Sequence, residues 1–593
     1  MAEQQGSESK LIDPADFGRT FTELADKSQA VMGTLLANQL AHPAQGLMDP
    51  LHLGSAFYDL AAHLASDPLR VMDANLGLWN DYMKLWQNAT LGALGTETTP
   101  VVQPDAGDRR FKDEAWTEHT IFDFIKQSYL VTARWMQSVV QGVDGLDPHT
   151  ADKVDFFTRQ ITDAMAPSNF VLTNPQVLRE TLDSGGENLV RGLENLLHDL
   201  ERGKGQLRIS MTDESAFKVG ENVASTPGKV VMRNALMELL QYTPTTETVH
   251  RRPLLIVPPW INKYYILDLR PKNSFIKWAV DQGHTVFVIS WVNPDASLRD
   301  KGFADYMLEG PLAALDRMAE ITGEPEANII GYCLGGTLTG CLLAWLTRQG
   351  KAGRIASATH FTTMLDFSEP GDLGVFIDEP TLEYLESQME KNGYLDGSEM
   401  AGTFNLLRSN DLIWSFVINN YLLGKDPFPF DLLYWNADST RMPAAMHGFY
   451  LRHMYLENIV RKPDGITLAG VPIDLSLVET PAYFISCRED HIAPWRTTYL
   501  GTRLYKGPVR FVLAASGHIA GIVNPPVANK YGFWTNDTLP PAPEDWLNSA
   551  QRSEGSWWTD WNAWIQPHAG EQVPARMPQG DTDAPGTYVA VRL

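Results

Sequence analysis

Cysteine is scarce: Cys333, Cys341 and Cys487 are the three in 593 residues. An odd, sparse set cannot build a disulfide framework and points to a reducing compartment. No Cys/His group has zinc-site spacing, and neither a P-loop nor a dinucleotide fingerprint is present. Positive charge is also short. Lys and Arg number 48 against 72 Asp and Glu, a formal net charge of -24, which argues against a nucleic-acid partner. No apolar run is long enough to span a bilayer. The first twenty residues lack a basic start followed by an apolar core, so no secretory signal is expected. What remains is a long chain with 44% hydrophobic residues, enough for sizeable cores and about two or three domains.

Residues 1–210 carry helical periodicity. In "TIFDFIKQSYLVTARWMQSVVQGV", Phe122, Ile125, Tyr129, Leu130 and Trp135 fall at roughly helical steps. "NPQVLRETLDSGGENLVRGLENLLHDLERG" reads as two helices broken at Gly185-Gly186. The first strand-like stretch is "QLRISM". This part is expected to be a helical N-terminal domain whose apolar stripes are packing surface. Its first hundred or so residues are expected to be variable and partly disordered.

From 211 to the end the pattern changes. "PLLIVPP", "HTVFVISW", "ANIIGY" and "RIASATHFTT" read as strands, with helical runs between them. Such alternation implies a mostly parallel sheet covered on both faces, an α/β architecture. It stops near Asp366 and resumes at "TPAYFISC" and "GPVRFVLA". The aromatic, polar stretch between, about 366–475, is expected to be an inserted cap or lid at the carboxyl edge of the strands. Near the C-terminus, "SWWTDWNAWIQP" sets Trp557, Trp558, Trp561 and Trp564 close together. Packing on the sheet is the favoured reading, and an aromatic surface for a hydrophobic partner is the alternative.

The strand "ANII" runs into "GYCLGG" at 331–336, followed by a helix-like run. Glycine, any residue, nucleophile, any residue, glycine is the pattern of a nucleophile elbow, with Cys333 where hydrolases usually place serine. The helix N-terminus would face the sulfur and favour a thiolate. Cys341 lies inside the helix and Cys487 ends a strand, and both read as packing. Acid and base should follow in the order nucleophile, acid, histidine. "REDHIAPW" and "ASGHIAGIVNPP" follow the last two expected strands, which nominates Asp490 and His518. Glu489 is the rival acid, and His491 is a possible substrate contact. The oxyanion hole needs two backbone N–H donors: Leu334, and either Trp260 or Ile261 from "PPWINKYY". Pro258 and Pro259 have no N–H to give.

A thiol suits one task in particular. Moving an acyl group from coenzyme A to cysteine exchanges one thioester for another near energy balance. The acyl group stays activated for a hydroxyl to attack, provided water is kept out. A serine would lose that activation.

With these residues in view, the sequence resembles the class I polyhydroxyalkanoate synthases. The resemblance runs from about residue 110 to the C-terminus. It rests on "NVASTPGKVVMRN", "PLLIVPPWINKYYILDL", "WAVDQGHTVFVISWVNPD", "GYCLGG", "MLDFSEPGDLGVFID", "SNDLIWSFVINNYLLGKDPFPFDLLYWNADSTRMP", "REDHIAPW", "SGHIAGIVNPP" and "SWWTDW". It implies an α/β-hydrolase fold with an inserted cap, and polymerisation of (R)-3-hydroxyacyl-CoA, in class I members generally short-chain (C3–C5). Cys333 would carry the acyl group and His518 would be its base. Asp490 would either orient His518 or activate the 3-hydroxyl. Trp435 would match a tryptophan linked to dimer contacts and activity. Arg408, Asn458 and His491 would match positions implicated in coenzyme A recognition. It also implies a homodimer on the surface of cytoplasmic storage granules, with granule-associated proteins as further partners. Coenzyme A would be a product, with no bound cofactor and no metal. "GYCLGG" is shared with dienelactone hydrolases, which are shorter and lack the helical segment and the cap. A cysteine hydrolase releasing monomers is therefore the second reading, and a non-catalytic granule-coating protein the third.

Overall fold

The computed structural model describes residues 53–96, 98–105 and 107–592. The expectation of partial disorder falls mostly on residues 1–52, outside this range. The chain divides into two compact units. One comprises residues up to Asp213 together with Phe404–Phe428, and the other Glu214–Thr403 with Pro429–Leu593.

The described part of the first unit is helical up to Asp213: α1 (Leu53–Ser66), α2 (Pro68–Ala93), α3 (Ala115–Glu118), α4 (Thr120–Val140), α5 (Pro148–Ala164), α6 (Pro175–Asp183) and α7 (Glu187–Arg202). Proline opens α2, α5 and α6 directly after a capping Asp67, Asp147 or Asn174, whose side chain accepts a first-turn N–H. Gly186, at φ 94°, separates α6 from α7 in a left-handed turn that glycine adopts without strain. The strand expected at 206–211 does not form. Among the described residues of this unit there is no strand to pair with it, and Asp199 of α7 instead accepts the Ser210 N–H at 2.9 Å.

The expected insertion at 366–475 is divided between the units, because Phe404–Phe428 packs on α7. Asn188 and Asn195 donate to the Leu422 and Asn420 carbonyls at 2.8 and 3.0 Å, and the Tyr421 hydroxyl donates to Asp199 at 2.6 Å. A Cβ on Gly192 would lie 1.8 Å from the Tyr421 carbonyl oxygen, so glycine permits this close approach.

The second unit is built on an eleven-stranded sheet. In chain order its strands are β1 (Gly228–Arg233), β2 (Met237–Tyr242), β3 (Leu254–Val257), β4 (Val286–Trp291), β5 (Ala327–Tyr332), β6 (Ile355–Phe361), β7 (Ala482–Cys487), β8 (Val509–Ala514), β9 (Gly532–Thr535), β10 (Gln551–Glu554) and β11 (Thr582–Asp583). In space they lie in the order 10-9-8-7-6-5-3-4-2-1-11. Strands β3 to β8 are mutually parallel, and antiparallel strands extend both edges. The six strands expected after residue 211 all lie within this parallel centre. Their apolar side chains feed two buried clusters, one on each face. Helix α8 (Phe275–Asp281) follows β3, α9 (Ala313–Thr322) precedes β5, and α10 (Leu334–Arg348) leads from β5 to β6. Almost every side chain of α10 is buried, which makes it the central helix of the unit.

The tryptophan-rich tail forms α11 (Trp558–Ala569). Trp557, Trp558 and Trp561 are fully buried, and Trp564 packs at the cluster margin. The favoured packing reading therefore describes these residues.

Candidate active site

Cys333 joins β5 to α10 with φ 52° and ψ -117°, a left-handed strain that no glycine relieves. Three glycines let the elbow turn this tightly. A Cβ on Gly331 would lie 2.4 Å from the Gly336 Cα, one on Gly335 2.1 Å from the Val257 carbonyl oxygen, and one on Gly336 1.8 Å from the Thr363 hydroxyl. The Cys333 N–H donates to the Phe361 carbonyl at 2.9 Å, which ties the elbow to the end of β6. Cys333 itself is only partly buried and touches the apolar clusters of both faces.

Asp490 and His518 arrive from the loops after β7 and β8, as expected. Asp490 Oδ2 meets His518 Nδ1 at 2.7 Å. Asp490 Oδ1 accepts the N–H groups of Ile492 and Ala493, both at 2.8 Å. The carboxylate is wholly buried and both of its oxygens are engaged. Glu489, the rival acid, is exposed. The Tyr332 ring stacks on His518 at 5.7 Å, and its hydroxyl donates to the His518 carbonyl at 3.4 Å. Burial lowers the proton affinity of His518, but the Asp490 charge, the Cys333 sulfur and hydrogen bonds to both outweigh it and raise the imidazole from 6.5 to about 10. The arrangement is a carboxylate–imidazolium–sulfur line.

The other two cysteines differ. Burial pushes the Cys341 thiol up to about 12. Cys487 is raised by burial and by the charges of Asp490 and Glu489. Neither is a nucleophile in this setting.

Leu334 opens α10, so its N–H lies outside the helical ladder and beside the sulfur. Trp260 and Ile261 sit in the loop leaving β3, next to the elbow. Val257 and Gly331 are register partners at the ends of β3 and β5. Trp291 Nε1 donates to the Pro258 carbonyl at 2.9 Å and steadies the start of this loop.

The remaining expected residues are distributed differently. Arg408 lies in the helical unit, where it pairs with Asp411 at 2.9 Å. Asn458 is buried, accepts the Phe367 N–H and donates to Asp366, each at 2.9 Å, so its amide braces a loop. His491 is half-buried in the Asp490 loop. Trp435 is an interior residue in this conformation, with its indole donating to the Lys263 carbonyl at 2.7 Å. Two residues not singled out from the sequence belong here: Tyr450 and Tyr455. Burial raises both phenols and Cys333 adds to it in each; Tyr455 raises Tyr450 further, whereas the hydrogen bond from Tyr450 offsets part of the rise in Tyr455, and both stay neutral near the sulfur. The Phe367 ring lies 5.0 Å from that of Tyr455. The two tyrosines are five residues apart in "GFYLRHMYL", off the spacing of a single helix face, and nothing in the sequence ties them to Cys333.

Among the described residues, no three His, Cys, Asp or Glu side chains gather as a metal site, and no helix is long and apolar enough to cross a membrane.

Comparison with known proteins bears on the family and the fold. A family described as "Poly-beta-hydroxybutyrate polymerase (PhaC) N-terminus" matches residues 107–279, and one described as "alpha/beta hydrolase fold" matches residues 271–525. The poly(3-hydroxyalkanoate) polymerase subunit PhaC of Rhizobium etli is 47% identical over 98% of this chain and 93% of its own. The chain belongs to the poly(3-hydroxyalkanoate) polymerase family. Other polymerases of the family include that of Methylorubrum extorquens, 51% identical over 89% of this chain and 88% of its own. The subunit from Cupriavidus necator is 43% identical over 90% of each chain. Among solved structures, a hydrolase from Pseudomonas aeruginosa PA01 aligns with 48% of this chain and 88% of its own at 15% identity and a TM-score of 0.29. The polymerase family thus accounts for nearly the whole chain, and the α/β-hydrolase family match over residues 271–525 spans Cys333, Asp490 and His518.

Proposed function

We propose that this polymerase-family acyltransferase converts short-chain (R)-3-hydroxyacyl-CoA, such as 3-hydroxybutyryl-CoA, to polyester and coenzyme A through a thioester on Cys333. The observation that carries the reading is the Asp490–His518–Cys333 line on a strained elbow, in a chain whose relatives bear the name of poly(3-hydroxyalkanoate) polymerases.

In the first step the Cys333 sulfur attacks the thioester carbonyl. The oxyanion is held by the N–H of Leu334 and that of Trp260 or Ile261. The carbon–sulfur bond to coenzyme A then breaks, and His518 gives its proton to the departing sulfur. In the second step a hydroxyl attacks the acyl-cysteine. Its proton passes to His518, the new ester forms, and the Cys333 sulfur leaves. The near-neutral exchange of thioesters keeps the acyl group reactive until the hydroxyl arrives. Apolar clusters on both sides of Cys333 and the neutral Tyr450–Tyr455 pair favour exclusion of water.

Asp490 is read as the residue that orients His518 and stabilises its charge. Both of its oxygens are engaged and none of its side chain is exposed, which leaves it no face for the 3-hydroxyl. Arg408, Asn458 and His491 are retained as proposed coenzyme A contacts. Dimerisation involving Trp435 would require that residue to leave the interior position described above. Residence on granule surfaces in the cytoplasm is proposed on the same family basis.

Incubation with (R)-3-hydroxybutyryl-CoA tests the reading. Coenzyme A release with accumulating polymer is expected. Coenzyme A release with only free 3-hydroxybutyrate would instead assign a cysteine hydrolase.

A further inference from the structure

The loop that would supply the second oxyanion donor is gripped by a segment distant in sequence. From Trp435 to Thr440 the chain runs antiparallel beside Trp260–Lys263. The Thr440 hydroxyl donates to the Trp260 carbonyl. The Thr440 N–H reaches the Ile261 carbonyl at 3.4 Å, Asn262 and Ser439 form an antiparallel bridge, and Trp435 Nε1 donates to the Lys263 carbonyl. Beneath them the buried Lys263 ammonium pairs with Asp438 at 2.8 Å, and Asp438 also accepts the Tyr265 hydroxyl at 2.9 Å. Thr440 is itself buried.

A trans peptide is planar, with its carbonyl and its N–H on opposite sides. The Trp260 carbonyl and the Ile261 N–H belong to one such plane. Whatever holds the carbonyl therefore aims the N–H the other way. The elbow stands beside this loop, since a Cβ on Gly335 would touch the Val257 and Pro258 carbonyls. We infer that Thr440 is a positioning residue: its hydroxyl, by holding the Trp260 carbonyl, sets the Ile261 N–H as the second oxyanion donor. This rests on the acyl-cysteine reading above and narrows its choice between Trp260 and Ile261. It also couples the oxyanion hole to the 435–440 segment, so a displacement of that segment would disassemble the hole without moving Cys333 or His518.

The test uses full-length Thr440→Val and Thr440→Ser, with Cys333→Ala alongside. Valine keeps the branched shape and removes the donor, and serine restores the donor. Thr440→Val should lower kcat for coenzyme A release by about 10- to 100-fold with KM changed less than ~2-fold, and Thr440→Ser should recover to within ~3-fold of wild type. Iodoacetamide alkylation of Cys333 needs no oxyanion hole, so its rate should match wild type in both variants. The inference is overturned if Thr440→Val turns over normally, if Thr440→Ser is as slow as Thr440→Val, or if alkylation slows in parallel with turnover. A normal Thr440→Val beside an inactive Cys333→Ala removes Thr440 alone. An active Cys333→Ala removes the acyl-cysteine reading and this inference with it.

Discussion

Asp490→Asn separates two roles that the sequence alone leaves open for this residue. Asparagine keeps Oδ1, so the Ile492 and Ala493 N–H groups retain their acceptor and the loop should hold its shape. What changes is the other oxygen, 2.7 Å from His518 Nδ1. The carboxylate charge is lost, and an amide N–H faces a ring nitrogen that had been the donor. A charge at this distance from a buried group is worth about 1–3 pKa units, or ~1.4–4 kcal/mol at 1.36 kcal/mol per unit. Protonated His518 should therefore become about 10- to 1,000-fold less populated, and the amide additionally selects the wrong imidazole tautomer. Loading and elongation both pass through His518, so both should fall by the same factor. The assay is rapid-quench measurement of first acyl transfer beside steady-state coenzyme A release, with circular dichroism confirming the fold. If loading survived while elongation collapsed, Asp490 would be acting on the incoming hydroxyl, and the orienting role argued from its occupied oxygens would be refuted.

Cys333→Ser should reduce turnover by at least about 100-fold, because the hydroxyl is a weaker nucleophile and its ester is less activated; turnover near wild type would remove the reason for a thiol. His518 has a folded-state value raised above its ordinary one, so the stability it contributes is complete below pH 6.5 and is lost as pH rises through about 10. The difference in urea-unfolding free energy between wild type and His518→Gln should shrink across that window, and a constant difference would contradict the raised proton affinity of His518. Gly335→Ala places a methyl against two backbone carbonyls at the end of β3, so it should cost about 1–3 kcal/mol of stability and more activity than stability; a folded, fully active variant would show that the elbow can give way.

The parallel centre of the sheet was legible because strands buried on both faces are short apolar runs, as in "LLIV" and "ANIIGY". The edges were not. Strand β10, "QRSE", is exposed at every position and carries no burial pattern, while β1 and β2 form a hairpin whose pairing is set by tertiary context. At the site, Cys333, Asp490 and His518 were readable from motif and order, since the topology fixes which loops follow which strands. Tyr450, Tyr455 and Thr440 were not. Their roles come from what folds against them, and nothing local distinguishes a core tyrosine near the elbow cysteine from any other. The split of the 366–475 insertion was likewise hidden, because it depends on α7 offering polar partners to Asn420–Leu422.

If a reactive acyl group rests on the Cys333 sulfur, it can be trapped there. The enzyme is loaded with a 3-hydroxyacyl-CoA analogue lacking the 3-hydroxyl, quenched, digested and analysed by mass spectrometry. One added acyl mass is expected, on the peptide bearing Cys333, cleaved by neutral hydroxylamine as a thioester should be. Acyl mass on Cys341, Cys487 or a hydroxyl side chain, or none anywhere while coenzyme A is released, would contradict the acyl-cysteine reading.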